Sequence, residues 1–415
     1  MILLDAAATT PVRRTALEAA WPYLTGTFGN PSSVHEPGLA AARGLAAARE
    51  AVAAFLGCRP AEVTFTSGGT EGANLCIKGL ALGAVLESGR GCHIVTTHIE
   101  HEAVLESVAY LARVHGFAVS YVETDASGLV SPDELRAALC AAPAGGTALV
   151  TIGWANNEVG TVQDVAALAS VAHEAGALFH TDAVQAAAAL PVDVRALGVD
   201  ALSFSGHKLG APKGSGAVFV RAGLPLEPLL HGGGQERGRR SGTENVAWAV
   251  ALAAACTELE RERRSSQTRA SGGPGPDFVT TARAPATGSS QTRAQNDAFP
   301  DFVTTVLRQL PGARLTGHPT QRLPRHASFV IPGVNGETVL LELERRGVIA
   351  SAGSACAAGR TEPSHVLLAL GYTADEASAA LRFSWTAEVT AEELAEAASA
   401  LAAAVAAANG SVRRQ

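Results

Sequence analysis

The stretch Ala201-Leu202-Ser203-Phe204-Ser205-Gly206-His207-Lys208-Leu209-Gly210 runs from apolar strand formers into small and polar residues, with one lysine just past the end. The next residues, Ala211-Pro212-Lys213-Gly214-Ser215-Gly216, break regular structure because Pro and Gly recur among them. A second apolar run, Ala217-Val218-Phe219-Val220, then returns as a strand. Lys208 is therefore mounted at a rigid strand end, beside the hydroxyl of Ser205 and the imidazole of His207. An amine held in this way suits Schiff-base chemistry with a phosphorylated aldehyde. The plain alternative is an ordinary loop lysine, so the other strand ends decide between the two.

Working outward, strands and helices alternate. Glu62–Thr66, His93–Thr96, Ala118–Val122, Ala148–Ile152 and Leu178–His180 read as short apolar strands. Arg13–Leu24, a long Ala-rich stretch ending near Leu56, Glu102–His115 and Val165–Ala175 read as helices, and Ser131-Pro132-Asp133-Glu134 opens another with a capping serine. This alternation predicts an α/β fold with a mostly parallel central sheet covered by helices. The remainder predicts a smaller α+β domain: strands at Ala327–Ile331 and Leu381–Trp385, helices at Gly336–Arg346, Glu362–Leu370 and 391–408. The expected division is a large domain over 12–255 and a small one built from 1–11 and 256–415.

A tandem near-repeat interrupts the second part. Ser265-Ser266-Gln267-Thr268-Arg269-Ala270 recurs as Ser289–Ala294, and Pro276-Asp277-Phe278-Val279-Thr280-Thr281 recurs as Pro300–Thr305. The second copy continues with helical apolar spacing, and the first carries Gly272-Gly273-Pro274-Gly275-Pro276. The first copy, near 265–288, is expected to be a mobile insertion and the second a domain helix.

At 415 residues, 47% hydrophobic and 17% charged, the chain has apolar mass for a large core. A net charge of -7, with no long Lys/Arg block, argues against a nucleic-acid partner. Met1-Ile2-Leu3-Leu4-Asp5 lacks the pattern of a secretory signal, and the Ala-rich segments are too short to span a bilayer. Cys58, Cys76, Cys92, Cys140, Cys256 and Cys356 are scattered, without C-x-x-C or zinc spacing. A reducing, cytoplasmic setting without membrane association is expected. Five of these cysteines sit in apolar or Ala-rich contexts and read as inert core residues; Cys356 does not.

The other strand ends carry matching chemistry. Thr66-Ser67-Gly68-Gly69-Thr70-Glu71 follows a strand and opens a helix, a seat for phosphate rather than a Walker or dinucleotide loop, with a plain Gly-rich turn as the alternative. His98-Ile99-Glu100-His101-Glu102 follows another strand. H-E-x-x-H is absent and no third ligand is suggested, so no metal is expected; a lone imidazole there suits stacking and proton transfer. His180-Thr181-Asp182-Ala183-Val184-Gln185 offers an acid for a protonated ring nitrogen and an amide three residues on, where a helix cap is the alternative for Asp182. Trp154-Ala155-Asn156-Asn157-Glu158-Val159-Gly160 is polar directly after a buried strand. Open α/β sheets bind ligands at these C-terminal strand ends.

Together with Gly232-Gly233-Gly234-Gln235-Glu236-Arg237-Gly238-Arg239-Arg240-Ser241-Gly242-Thr243, Ser354-Ala355-Cys356 and Arg382-Phe383-Ser384, these motifs resemble the class V aminotransferase group of fold type I pyridoxal-phosphate enzymes. More narrowly, the chain is similar to the NifS/IscS-type cysteine desulfurases over nearly all its length except the insertion. The resemblance implies Lys208 as the amine that carries pyridoxal 5'-phosphate, with His101 stacked on the ring. It implies Asp182 at the pyridine nitrogen and Gln185 at the phenolic oxygen. Gly69, Thr70, Ser205, Gly206 and His207 surround the phosphate, and Thr243 reaches the phosphate of a partner subunit in a homodimer. Asn157, beside the cofactor, and Arg382 hold the carboxylate of L-cysteine, a task that suits a guanidinium fork.

Cys356 lies in Ala350-Ser351-Ala352-Gly353-Ser354-Ala355-Cys356-Ala357-Ala358-Gly359, where small residues offer no bulk to bury a thiol. The implied chemistry is attack of its thiolate on the substrate sulfur, release of alanine, and a persulfide passed to an acceptor such as an iron–sulfur scaffold or a tRNA-thiolation partner. A class V aminotransferase and a selenocysteine lyase are the alternatives that keep the cofactor, and a non-catalytic scaffold with a decayed site is a third. No residue of the motif set is missing.

Overall fold

The computed structural model describes residues 1–271, 290–352 and 362–412. Short runs of Val, Ile, Leu, Phe and Thr, closed off by Gly, Asp or Pro, become the strands. In chain order these are β1 (Ile2–Leu3), β2 (Val63–Thr66), β3 (His93–Thr97), β4 (Ala118–Val122), β5 (Leu149–Thr151), β6 (Leu178–Asp182), β7 (Ala201–Ser205) and β8 (Gly216–Val220). The later strands are β9 (Arg314–Leu315), β10 (His326–Val330), β11 (Val348–Ile349), β12 (Ser351–Ala352) and β13 (Ala380–Ser384).

The central sheet has the order β2-β8-β7-β6-β5-β3-β4. Pairing is parallel from β7 through β6, β5 and β3 to β4, and β8 runs antiparallel to both its neighbours. The expected mostly parallel, helix-covered α/β sheet is thus what forms. Helices bury both faces. Ala16, Val52, Leu56, Phe179, Phe204 and Leu252 share one apolar cluster. Ile77, Leu80, Ile94, Leu111, Leu149 and Val220 share another. Because the strands are buried on both sides, their C-terminal ends are where polar side chains meet solvent-accessible space.

The second sheet is antiparallel, β12-β13-β10-β9, and β1 pairs with β11 beside it. Its core is aromatic: Phe302 meets Phe383, Trp385 and Phe329 edge-on at 5.5, 5.6 and 6.2 Å between ring centres. Ile2 and Leu4 are buried in the same cluster. The second repeat copy lies in the helix Ser290–Gln309, whose Phe302, Val303 and Val306 are buried there. The helix Val246–Ser271 runs into the first copy, past the expected start of the insertion at 265. Residues 272–289, where the expected mobility falls, lie outside the described residues. Among the described residues no helix is long and apolar enough to cross a membrane.

Buried histidines couple this fold to pH. His180 in β6 lies within 2.9 Å of the Thr151 hydroxyl and 3.1 Å of the Ser203 hydroxyl. Burial pushes it, and His326 in β10, down to about 3, and pushes His207 down to about 4. In the unfolded chain each returns to about 6.5. Below that pH the unfolded state takes up protons that the folded state refuses, so stability is fully present above it and is lost as pH falls toward 4. Melting temperature should therefore drop steadily between about pH 7 and pH 4, and His180→Asn should flatten the drop. A melting temperature constant across that window contradicts the assignment.

Candidate active site

Five strand ends converge on one pocket of about 240 Å³, whose wall includes Ala7, Gly69, His101, Asp182, Ser205 and Lys208. Lys208 closes a single 3-10 turn, Gly206–Lys208, directly after β7. Its Nζ donates to the carbonyls of Ala7 and Ala8, the latter at 2.6 Å. The same Ala7 carbonyl accepts Gln185 Nε2 at 3.0 Å. Both the N–H and the hydroxyl of Thr10 donate to the His207 carbonyl, at 3.1 and 2.9 Å. The segment Asp5–Thr10 is thus one wall of the site, a role that nothing in its small, plain side chains announces.

His101 caps the helix Glu102–His115: its Nδ1 accepts the Ala103 N–H at 3.0 Å, which leaves the ring proton of the neutral form on Nε2. Asp182 ends β6 and accepts the Val184 N–H at 2.8 Å. Burial raises its pKa, against the opposing pull of His101, that N–H and Lys208. Glu100 beside it is pushed up to about 7, chiefly by burial. At the other end, Gly69 and Thr70 begin the helix Gly69–Ser88. Its first-turn N–H groups have no partner within the helix, and they face the same space as Ser205 and His207. A Cβ on Gly69 would stand 2.6 Å from Val184 Cγ2, so a side chain there would push the helix start off the turn after Asp182. His207 Nδ1 lies 3.1 Å from the Thr9 hydroxyl. Gly206 is buried in the turn itself and contributes backbone alone.

Asn157 lines the pocket from the loop after β5. Its carbonyl accepts His326 Nε2 at 2.9 Å and Arg382 Nη1 at 3.2 Å, so the second sheet grips this loop. Arg322 strengthens the grip, donating to the carbonyls of Val159 and Thr316 at 3.1 and 3.0 Å. Arg382, in β13, is 1% exposed and stands behind the wall rather than in it. Its Nη2 pairs with Asp5 at 2.9 Å, and its buried Nε has no hydrogen-bond partner among the described residues. Thr243 lines a different pocket, with Ser67, Arg240 and Trp248. Cys356 lies outside the described residues. Of the five cysteines expected in the core, Cys76 and Cys256 are buried in it and Cys58 is half-buried; Cys92 and Cys140 are exposed, because one directly precedes β3 and the other ends the helix Pro132–Cys140.

Nine of the expected residues therefore share one wall: Gly69, Thr70, His101, Asn157, Asp182, Gln185, Ser205, His207 and Lys208. The sequence reading missed the Ala7 and Ala8 carbonyls, Asn156, Gln163 and the Glu100 carboxyl. Glu100 had one available signal, its place beside His101.

The sequence profile of the aminotransferase class-V family matches residues 2–270 and 284–396, leaving the middle of the repeat unmatched. The chain is 42% identical to the "Cysteine desulfurase IscS" of Methanosarcina thermophila, over 94% of this chain and 89% of that one. It is 39% identical to the protein of the same name from Dictyoglomus turgidum, over 94% and 91%. Among solved structures, a "NIFS-LIKE PROTEIN" superposes with a TM-score of 0.83 at 33% identity, covering 98% of this chain and 99% of that one. "SspA in complex with cysteine" gives 0.74 at 34% identity, covering 92% and 98%. The chain belongs to the aminotransferase class-V family, in the company of its cysteine desulfurases.

Proposed function

We propose that this chain is a pyridoxal-phosphate-dependent cysteine desulfurase that converts L-cysteine to L-alanine and holds the sulfur as a persulfide on Cys356. The observation that carries the reading is the pairing, across one pocket, of a strand-end lysine with a buried aspartate. The residues fit a flat, phosphorylated ligand with a protonated ring nitrogen. A helix start, a hydroxyl and a neutral imidazole, the last held to about 4 by burial, stand at the phosphate end. Asp182, a buried acid, stands at the other and is the partner a ring N–H calls for.

On this reading Lys208 carries pyridoxal phosphate, Asp182 takes the ring nitrogen, Gln185 the phenolic oxygen and His101 the ring face. Gly69, Thr70, Ser205, Gly206 and His207 hold the phosphate. Bound there, the cofactor supplies an electron sink that makes the substrate α-proton acidic and the carbon–sulfur bond cleavable. Lys208 Nζ is the base that would move the substrate α-proton. Asn157 and Arg382 hold the substrate carboxylate, the buried Nε of Arg382 having no acceptor among the described residues. Cys356 Sγ, as thiolate, attacks the substrate sulfur: a sulfur–sulfur bond forms, the carbon–sulfur bond breaks, and the electron pair stays with carbon. His101 Nε2 exchanges the proton that completes alanine.

Thr243 opens on a separate pocket, which accords with a homodimer in which it serves the partner's phosphate. Trp21 and Phe28, 66% and 73% exposed, are apolar surface that such a partner would cover. The division into a large domain over 12–255 and a small one from 1–11 and 256–415 belongs to the same reading, as does a cytoplasmic setting with a sulfur-acceptor protein such as an iron–sulfur scaffold.

Two measurements test it. Lys208→Ala should abolish the visible absorbance of the bound cofactor. Cys356→Ala should keep that absorbance, yet lose alanine and sulfide formation from L-cysteine by on the order of a thousandfold or more. A Cys356→Ala protein as active as the parent would turn the reading toward an aminotransferase, which needs no thiol. Preference for selenocysteine would turn it toward a lyase.

A further inference from the structure

Glu100 is buried in the pocket wall, 5% exposed, and none of the roles above falls to it. Its Oε1 accepts the Thr97 hydroxyl and its Oε2 accepts the Gly153 N–H, both at 2.8 Å. Thr97 ends β3, and Gly153 lies just past β5. The next N–H along, that of Trp154, donates to the carbonyl of Asp182 at 2.9 Å, at the end of β6. The carboxylate thus links the ends of β3 and β5, and the backbone of the residue after Gly153 carries the link on to β6. Directly after it the chain becomes His101 and the helix that His101 caps. From the second sheet's side, His365 Nε2 donates to the Glu100 carbonyl at 3.0 Å.

The approach is close. A Cβ on residue 153 would stand 2.9 Å from Glu100 Oε2, so a side chain there would displace the carboxylate from its place. The group is also held there against opposition: burial, and after it the like charge of Asp182, disfavours its ionised form. An apolar side chain would fill the wall without that penalty. The bonds survive either protonation state, since a neutral carboxyl donates to Thr97 and still accepts from Gly153.

We propose that Glu100 is a positioning residue, whose carboxyl braces the end of β3 against the turn after β5, itself bonded to the end of β6, and so sets the separation of His101 from Asp182. The inference rests on the pyridoxal-phosphate reading, in which these two residues meet the ring at its face and at its nitrogen. Their spacing then controls how tightly the ring is held.

Glutamine reproduces the bonding pattern, its amide N–H toward Thr97 and its oxygen toward Gly153; alanine does not. The test titrates the apo forms of the parent, E100Q, E100A, G153A and the E100A/G153A pair with pyridoxal phosphate, following absorbance, and records each melting curve. E100Q should bind within about threefold of the parent, while E100A and G153A should each weaken binding by about tenfold or more. The pair should be no weaker than the worse single variant, because both changes strike one contact. Equal binding by the parent, E100A and G153A overturns the inference. So does an E100Q as weak as E100A, or losses that simply add in the pair. Should E100A fail to melt cooperatively, E100Q and G153A decide. A parent chain that takes up no pyridoxal phosphate overturns the functional reading first, and this inference with it.

Discussion

The ammonium of Lys208 rests between the carbonyls of Ala7 and Ala8, and the geometry of the site hangs on that contact. A free lysine stem samples many rotamers; two carbonyl acceptors select one. The Ala7 carbonyl also fixes Gln185, and Thr10 fixes the His207 carbonyl. From the opposite side, Ser384 Oγ accepts the Ala7 N–H at 2.8 Å and Asp5 pairs with Arg382. A strap of a few residues therefore joins the end of β7 in one sheet to β13 in the other. The amine and the buried arginine are tied to the same piece of backbone.

Around that strap the pocket is electrostatically divided. At one end Asp182 and Glu100 are buried carboxyls whose pKa values burial raises. At the other end a helix start and a neutral His207 offer donors without a full charge. Such a division suits a ligand that is cationic at one end and anionic at the other. It also explains why one histidine is kept neutral by burial while His101, at a helix N-cap, keeps Nε2 directed away from its capping bond.

Much of this was legible in the sequence. The strands Ala118–Val122 and Ala201–Ser205 and the helix Glu102–His115 match their expected bounds, because β-branched, aromatic and aliphatic residues recur along the strands and clear caps close the helix. The two-residue strands β1, β9, β11 and β12 were not anticipated. A ladder that short has no periodicity to read, and it forms because a distant strand supplies the partner. The site followed the same division. Side chains that carry chemistry at strand ends were identifiable from type and place. The Ala7 and Ala8 carbonyls were not, since a backbone acceptor leaves no mark in residue identity. The resemblance singled out Arg382, but its pairing with Asp5 depends on a contact between distant parts of the chain.

The central claim is that the amine at the end of β7 is the one that binds the cofactor. Borohydride reduction of the protein loaded with pyridoxal phosphate, followed by peptide mass mapping, tests it most directly. The pyridoxyl group should be found on the peptide containing Lys208. Its recovery on Lys78 or Lys213 instead, with Lys208 unmodified, would contradict the account.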